Sequence, residues 1–292
     1  MRELDGLTRT CGLIGNPVEH TVSPVIHNTL AEATEYNLAY VPFHVQTGAL
    51  EQAVKGAYAL NLLGLNVTVP YKSEVIPFLQ EVDSLAAKIG AVNTLVRTEG
   101  GYKGYNTDMP GLYRAMVSDG VQIEGEQVLI LGAGGVARAV AVLMAEKKAE
   151  TIYILNRTLE RAKQVAEEVN ELAGRRVVHP LELSAYNTLP DGRKYLCIQA
   201  TNVGMYPKTE EVPIADADFY ERIHTGYDLI FNPLDTRFMQ LVRAKGGRAY
   251  NGLKMLLYQG IIGYELWTGK EIADSLAEEV LKKMLSAMER KN

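Results

Sequence analysis

Two spacings of apolar positions organise this chain. Short unbroken apolar runs, such as 128–131 and 151–155, read as strands buried on both faces of a parallel sheet. Longer stretches with apolar residues on one face, 136–144 and 158–172, read as helices between them. Further strands are expected near Val177 and at 195–200, 227–231 and 248–250. That alternation predicts a doubly wound parallel sheet in the second half of the chain. Upstream, the pattern predicts strands at 11–15 and 38–45, a strand from Leu65 stopped by Pro70, and another at 91–96 that turns at Glu99-Gly100-Gly101 into 102–108. Helices are expected from Ser23 as N-cap to about residue 35, from Thr47 as N-cap to about residue 60, and from Asp83-Ser84 to Gly90. A helix at 112–117 is broken by Asp119-Gly120, and the chain is helical after Gly252, with a last helix at about 272–289. The fold class is α/β in two domains, the first completed by the C-terminal helices. The expected division is 1–108 with 252–292, and 109–251.

The turn after the strand at Val128 carries the first chemistry. Gly132-Ala133-Gly134-Gly135-Val136-Ala137 is G-x-G-x-x-A between a strand and a helix. Gly132 permits the tight turn, Gly134 lets backbone approach a pyrophosphate, and Ala137 lets helix pack close on strand. The helix N-terminus offers free N–H groups to phosphates. The next strand ends at Asn156-Arg157-Thr158, about twenty residues on, where an NAD site places a carboxylate on the ribose. Arg157 stands there instead, with Arg161 one helical turn further. A guanidinium matches a 2′-phosphate in shape and charge, so NADP is favoured over NAD.

Composition narrows the class. The chain has 292 residues, 47% hydrophobic and 22% charged, as in ordinary globular domains. A net charge of −5 gives no electrostatic reason to expect nucleic acid or an anionic membrane surface. Met1-Arg2-Glu3-Leu4-Asp5 is too polar for a signal peptide, and no apolar run approaches the roughly 20 residues of a membrane helix. Cys11 and Cys197 sit in apolar runs and read as buried thiols, which fits a reducing cytoplasm. No Cys/His cluster suggests a metal. His20, His27, His44, His179 and His224 are read as structural.

Polar residues at the ends of first-half strands mark a second site. Thr68 and Lys72 follow the strand stopped by Pro70, at the edge where open α/β sheets hold ligands. Asn93 lies among apolar neighbours, where an unbonded amide is costly.

Several segments together resemble shikimate dehydrogenases and their quinate/shikimate relatives. They are Gly15-Asn16-Pro17 with Ser23-Pro24, Asn66-Val67-Thr68-Val69-Pro70-Tyr71-Lys72, Gly90-Ala91-Val92-Asn93-Thr94, Asn106-Thr107-Asp108, the glycine turn, Asn156-Arg157-Thr158 with Arg161, Ala200-Thr201 with Gly204-Met205, and Gly252 with Gln259. The resemblance implies reduction of 3-dehydroshikimate to shikimate with NADPH, in the pathway to chorismate and the aromatic amino acids. It implies Lys72 as the group that stabilises and protonates the developing alkoxide, with Asp108 beside it. It implies that Thr68, Asn93 and Gln259 hold ring hydroxyls, that Thr21, Ser23 and the Phe231 position hold the carboxylate, and that Thr201, Gly204, Met205 and Gly252 flank the nicotinamide. Two positions depart from the family. Thr21 and Ser23 stand for a pair of serines, and Phe231 replaces a tyrosine, with Tyr40 as a candidate substitute hydroxyl. A quinate/shikimate enzyme of broader substrate or NAD use is therefore an alternative, and a non-catalytic nucleotide sensor a remote one. The partners expected are a small-molecule substrate and no nucleic acid or membrane, for a monomer or homodimer.

Overall fold

The computed structural model describes residues 4–290; Met1, Arg2 and Glu3 of the polar N-terminal stretch lie outside the described residues. The chain divides into two units, one running to Gly111 and resuming at Leu256, the other Leu112–Met255. In order, the first stretch forms β1 (Arg9–Gly15), α1 (Ser23–Ala33), β2 (Leu38–His44), α2 (Leu50–Ala59), β3 (Gly64–Val67), β4 (Glu81–Val82), α3 (Ser84–Ile89), β5 (Thr94–Thr98), β6 (Gly101–Tyr105) and α4 (Asp108–Ser118). The second stretch forms β7 (Gln127–Leu131), α5 (Gly135–Glu146), β8 (Thr151–Asn156), α6 (Leu159–Ala173), β9 (Val178–Glu182), β10 (Tyr195–Gln199), β11 (Ile223–Asp228), α7 (Arg237–Ala244) and β12 (Arg248–Tyr250). The helices α8 (Leu253–Thr268) and α9 (Asp274–Glu289) close the chain.

The first sheet has the order β2-β1-β3-β5-β6-β4. β1 pairs in parallel with β2 and β3, while β5 runs antiparallel to β3 and β6. The order reverses beside β1, so the loops after β1 and β3 open side by side, where such sheets bind ligands. The second sheet, β12-β11-β10-β7-β8-β9, is parallel throughout and reverses beside β7. Val128, Leu129, Ile130 and Leu131 are fully buried, as a central parallel strand requires. Cys11 and Cys197 are free, buried thiols in β1 and β10. Among the described residues no helix is long and apolar enough to cross a membrane.

The C-terminal helices complete the first unit. α9 packs along α1. On α8, Trp267 lies against Gly64 and its indole N–H donates to the Leu95 carbonyl at 2.9 Å. Gly111 lets the start of α4 approach the backbone of α8, since a Cβ there would stand 2.6 Å from the Gln259 nitrogen.

Several expected boundaries shift for local reasons. Ser23 is the first helical residue of α1 rather than its cap, because the Thr21 hydroxyl already accepts the Ser23 amide at 3.2 Å. Thr47 does not cap α2; Gly48 takes a left-handed turn (φ 83°) and the helix starts after Ala49. β5 begins at Thr94 rather than 91, since the Val92 amide leaves the ladder to bond the Lys72 carbonyl at 2.8 Å. α4 begins at Asp108 rather than 112, its first amides taken by the Asn106 side chain. β11 covers Ile223–Asp228, not 227–231, because the Ile230 amide folds back onto the Asp228 carboxylate.

Gly64→Ala puts a methyl 2.0 Å from Trp267 Nε1 and 2.6 Å from the Leu95 carbonyl. Overpacking of that kind costs about 1–3 kcal/mol. Urea unfolding of this variant is expected to show the loss; an unchanged midpoint would mean α8 does not bear on β3 as described.

Candidate active site

Lys72 and Asp108 come from distant segments and meet. The turn after β3 carries Lys72, whose carbonyl is tied to Val92. The N-terminus of α4 carries Asp108. Lys72 Nζ donates to Asp108 Oδ2 at 2.8 Å, with the lysine side chain 31% and the aspartate 19% exposed. Asp108 Oδ1 accepts from Asn93 Nδ2 at 2.8 Å. One carboxylate thus holds an ammonium on one oxygen and an amide on the other.

A buried hydrogen-bonded chain fixes this pair. Asn93 Oδ1 accepts from the Thr107 amide at 2.7 Å and from the Thr94 hydroxyl at 3.1 Å, which orients its Nδ2 toward Asp108. Thr94 Oγ1 accepts from Asn66 Nδ2 at 3.1 Å, and Asn66 Oδ1 accepts from the Tyr40 hydroxyl at 2.7 Å. Tyr40 is stacked on His27 with ring centroids 4.1 Å apart. Burial pushes the His27 imidazole down to about 3, so it packs as a neutral ring. The proton of Tyr40 is committed to Asn66, so this hydroxyl has only an acceptor face to offer beside Ser23.

The remaining first-unit candidates share the same sheet edge. Thr21 donates to Ser23 Oγ at 3.1 Å, at the start of α1. Thr68 follows β3, and its methyl group lies against Gly15, where a Cβ would come within 2.3 Å. Gln259, on α8, lies against Gly111, and its amide is turned onto the Leu256 carbonyl at 2.8 Å.

The second unit carries the glycine turn. Gly132 has φ 110°, a conformation open to glycine and closed to most side chains. A Cβ at Gly134 or Gly135 would meet nothing within 4 Å, so the turn presents open backbone. Ala133 lies in the turn, and Val136 and Ala137 in the first turn of α5, which has no side-chain cap; its amides are available to an anion. At the end of β8, Asn156 Nδ2 bonds the Thr158 carbonyl, and Thr158 makes no side-chain cap to α6. Arg157 and Arg161 are exposed. These features fit a dinucleotide with a 2′-phosphate.

Sequence reasoning passed over the polar residues beneath the neighbouring loops. Gln199, Asp228 and Thr236 are buried at the ends of β10 and β11 and before α7. Gln199 Oε1 accepts from the amide and hydroxyl of Thr201 at 2.6 and 2.7 Å. Asp228 accepts from the Ile230 amide at 3.0 Å and the Thr236 hydroxyl at 2.6 Å. Burial raises the Asp228 carboxyl to about 6 against these two bonds. Beyond the bonded loop, Gly204 is left-handed (φ 93°) and Met205 is 46% exposed. Gly252 donates to the Ile230 carbonyl at 2.9 Å and sits so close to Leu229 that a Cβ would fall 2.2 Å from its oxygen. Phe231, half-buried, lies in this second unit.

Comparison with known proteins decides the family. Residues 13–95 match the shikimate dehydrogenase substrate binding domain, 115–185 the shikimate/quinate 5-dehydrogenase family, and 252–282 the shikimate 5′-dehydrogenase C-terminal domain. The shikimate dehydrogenase (NADP(+)) of Desulforamulus reducens is 40% identical across 97% of this chain and 98% of its own. The chain belongs to the shikimate dehydrogenase family. A shikimate 5-dehydrogenase from Listeria monocytogenes, solved with shikimate and NAD, superposes with a TM-score of 0.88 at 30% identity, covering 96% of this chain and 99% of that one. The Thermus thermophilus enzyme of the family, solved with NADP(H) and shikimate, gives 0.82 at 33% identity, covering 95% and 100%.

For this member of the shikimate dehydrogenase family, Asp228 sets a pH dependence of stability. Its folded pKa lies above the ordinary 3.8, so the folded state holds the proton longer than the unfolded chain. The stabilisation is full below about pH 4 and is lost as pH rises through about 6, by up to about 3 kcal/mol. The difference in unfolding free energy between Asp228→Asn and the unsubstituted chain is expected to move in favour of the variant across that interval. Parallel pH profiles would show that the carboxyl is not desolvated.

Proposed function

We propose that this chain catalyses the reversible reduction of 3-dehydroshikimate to shikimate with NADPH, a step toward chorismate and the aromatic amino acids. The observation that carries this reading is the Lys72–Asp108 pair at 2.8 Å, locked by Asn93 in a chain whose full-length relatives bear that activity. NADPH, when bound, supplies the hydride to the ketone carbon. Lys72 holds the substrate oxygen and gives it a proton as negative charge develops there; in the oxidation direction it takes the hydroxyl proton back. Asp108 orients the ammonium and accepts from the adjacent ring hydroxyl. Thr68, Asn93 and Gln259 bind ring hydroxyls, which a closed site must pair. Thr21 and Ser23 hold the carboxylate, the Thr21 hydroxyl turning from Ser23 Oγ to do so, and Phe231 contributes only an apolar wall.

For the cofactor, the open turn Gly132 to Ala137 and the uncapped α5 take the pyrophosphate. Asn156, Arg157, Thr158 and Arg161 take the 2′-phosphate, with Arg157 contributing most. Thr201, Gly204, Met205 and Gly252 flank the nicotinamide. In this assignment 1–108 with 252–292 serves the substrate, Gly252 at its boundary also meeting the cofactor, and 109–251 serves NADP. The free thiols suit a cytoplasmic enzyme, acting as a monomer or homodimer.

Initial rates with shikimate or quinate, each with NADP or NAD, test the assignment. Shikimate with NADP is expected to be the fastest pair, and comparable turnover with quinate would move the chain to the broader relatives. Arg157→Ala is expected to raise KM for NADP about 10- to 100-fold, the worth of a charge-assisted bond, and to leave KM for NAD within about twofold. Equal effects on the two cofactors would remove the 2′-phosphate role.

A further inference from the structure

The loops that hold the nicotinamide-side residues are tied to one buried polar pair. Gln199 ends β10 and Asp228 ends β11, side by side in the sheet. The loop after β10 wraps the Gln199 side chain. Its Oε1 takes both bonds from Thr201, and its Nε2 donates to the Val203 carbonyl at 3.0 Å and to Asp228 Oδ1 at 3.4 Å. This closes the loop just before Gly204 and Met205. The same Asp228 oxygen accepts from Ile230, whose carbonyl accepts from Gly252. The Tyr206 amide donates to the Asn232 carbonyl at 3.3 Å, joining the loop after β10 to the loop after β11. Every side-chain polar atom of Gln199 and Asp228 is engaged in this way, and both residues are fully buried. Neither touches solvent, so neither serves as a surface contact.

We propose that Gln199 and Asp228 are positioning residues for the nicotinamide end of the bound cofactor: together they set where Thr201, Gly204, Met205 and Gly252 stand. The proposal rests on the cofactor assignment above. It separates the two ends of that site. The phosphate end is built on the β7–α5 turn and the end of β8; no hydrogen bond of Gln199 or Asp228 reaches it, and the one contact across is the Thr201 methyl, which lies against Gly132. Disturbing the pair should therefore loosen one end and spare the other. The groups facing Asp228 besides its donors are Cys197 and Tyr220, both pushed up by burial and hence neutral. No cation forms an ion pair with it among the described residues. Its function here is to accept hydrogen bonds; an amide of the same shape keeps those of Ile230 and Gln199 through Oδ1 and loses that of Thr236 at Oδ2.

The test compares two probes on the full chain, NADPH and adenosine 2′,5′-bisphosphate, by direct binding. The bisphosphate reads only the phosphate end. Gln199→Leu is expected to weaken NADPH about tenfold or more and to lower kcat at least as much, since small displacements of positioning groups have large effects on rate. The bisphosphate should bind within about twofold of its original affinity. Asp228→Asn, which keeps two of the three bonds, should weaken NADPH less than Gln199→Leu does and leave the bisphosphate within about twofold. If Gln199→Leu does not fold, Thr236→Val, which removes one donor from Asp228 and the side-chain cap of α7, should still raise the ratio of the two dissociation constants, by about threefold. Equal weakening of both probes, or no change in either, overturns the positioning role. An unsubstituted chain that binds neither probe removes the cofactor assignment itself, and this proposal with it.

Discussion

An ammonium and a carboxylate at the edge of the first sheet must stay together without collapsing into a sealed ion pair. Lys72 and Asp108 meet at 2.8 Å, yet about a third of the lysine side chain remains accessible. A pair like this is worth little to stability by itself and depends on its surroundings for geometry. Those surroundings are the amide of Asn93 and, behind it, Thr94, Thr107, Asn66 and Tyr40. Each buried donor in that chain has an acceptor, so the arrangement has one hydrogen-bonding direction rather than several. The polarity runs from Tyr40 inward and leaves Asp108 as the acceptor facing Lys72.

The same logic recurs in the second unit with different residues. There the requirement is open backbone toward an anion, met by glycines at the turn after β7 and by an uncapped helix. The loops beside it need fixed shapes, and buried side chains supply these from beneath. Asp228 accepts a desolvation cost, visible in its raised pKa, to hold Ile230 and Thr236 in place. Both units thus place fully bonded polar groups below the candidate site residues.

Much of this was legible in the residues. The alternation of buried strands and helices marks the parallel sheet, and G-x-G-x-x-A between β7 and α5 marks the open turn. Lys72, Asn93 and Asp108 were placed together by the resemblance to a family, not by spacing, because their contacts span 15 and 36 positions. Asn66 and Gln199 did carry a signal, as polar residues inside apolar strands, but their partners could not be read from local pattern. The Tyr40–Asn66 bond spans 26 positions. The misplaced end of β11 has a clear cause: Leu229, Ile230 and Phe231 look like strand, and only the Asp228 side chain ends the ladder there. The Tyr40 hydroxyl, a candidate for the carboxylate, donates to Asn66, a bond that no local pattern shows.

The role proposed for Lys72, held by Asp108, is to deliver the proton that ketone reduction needs. A single-turnover measurement with Lys72→Ala, 3-dehydroshikimate and NADPH tests it most directly. The rate of NADPH oxidation should fall at least about a hundredfold, with NADPH affinity unchanged, as happens when a general acid is lost. A rate close to that of the unsubstituted chain would contradict it.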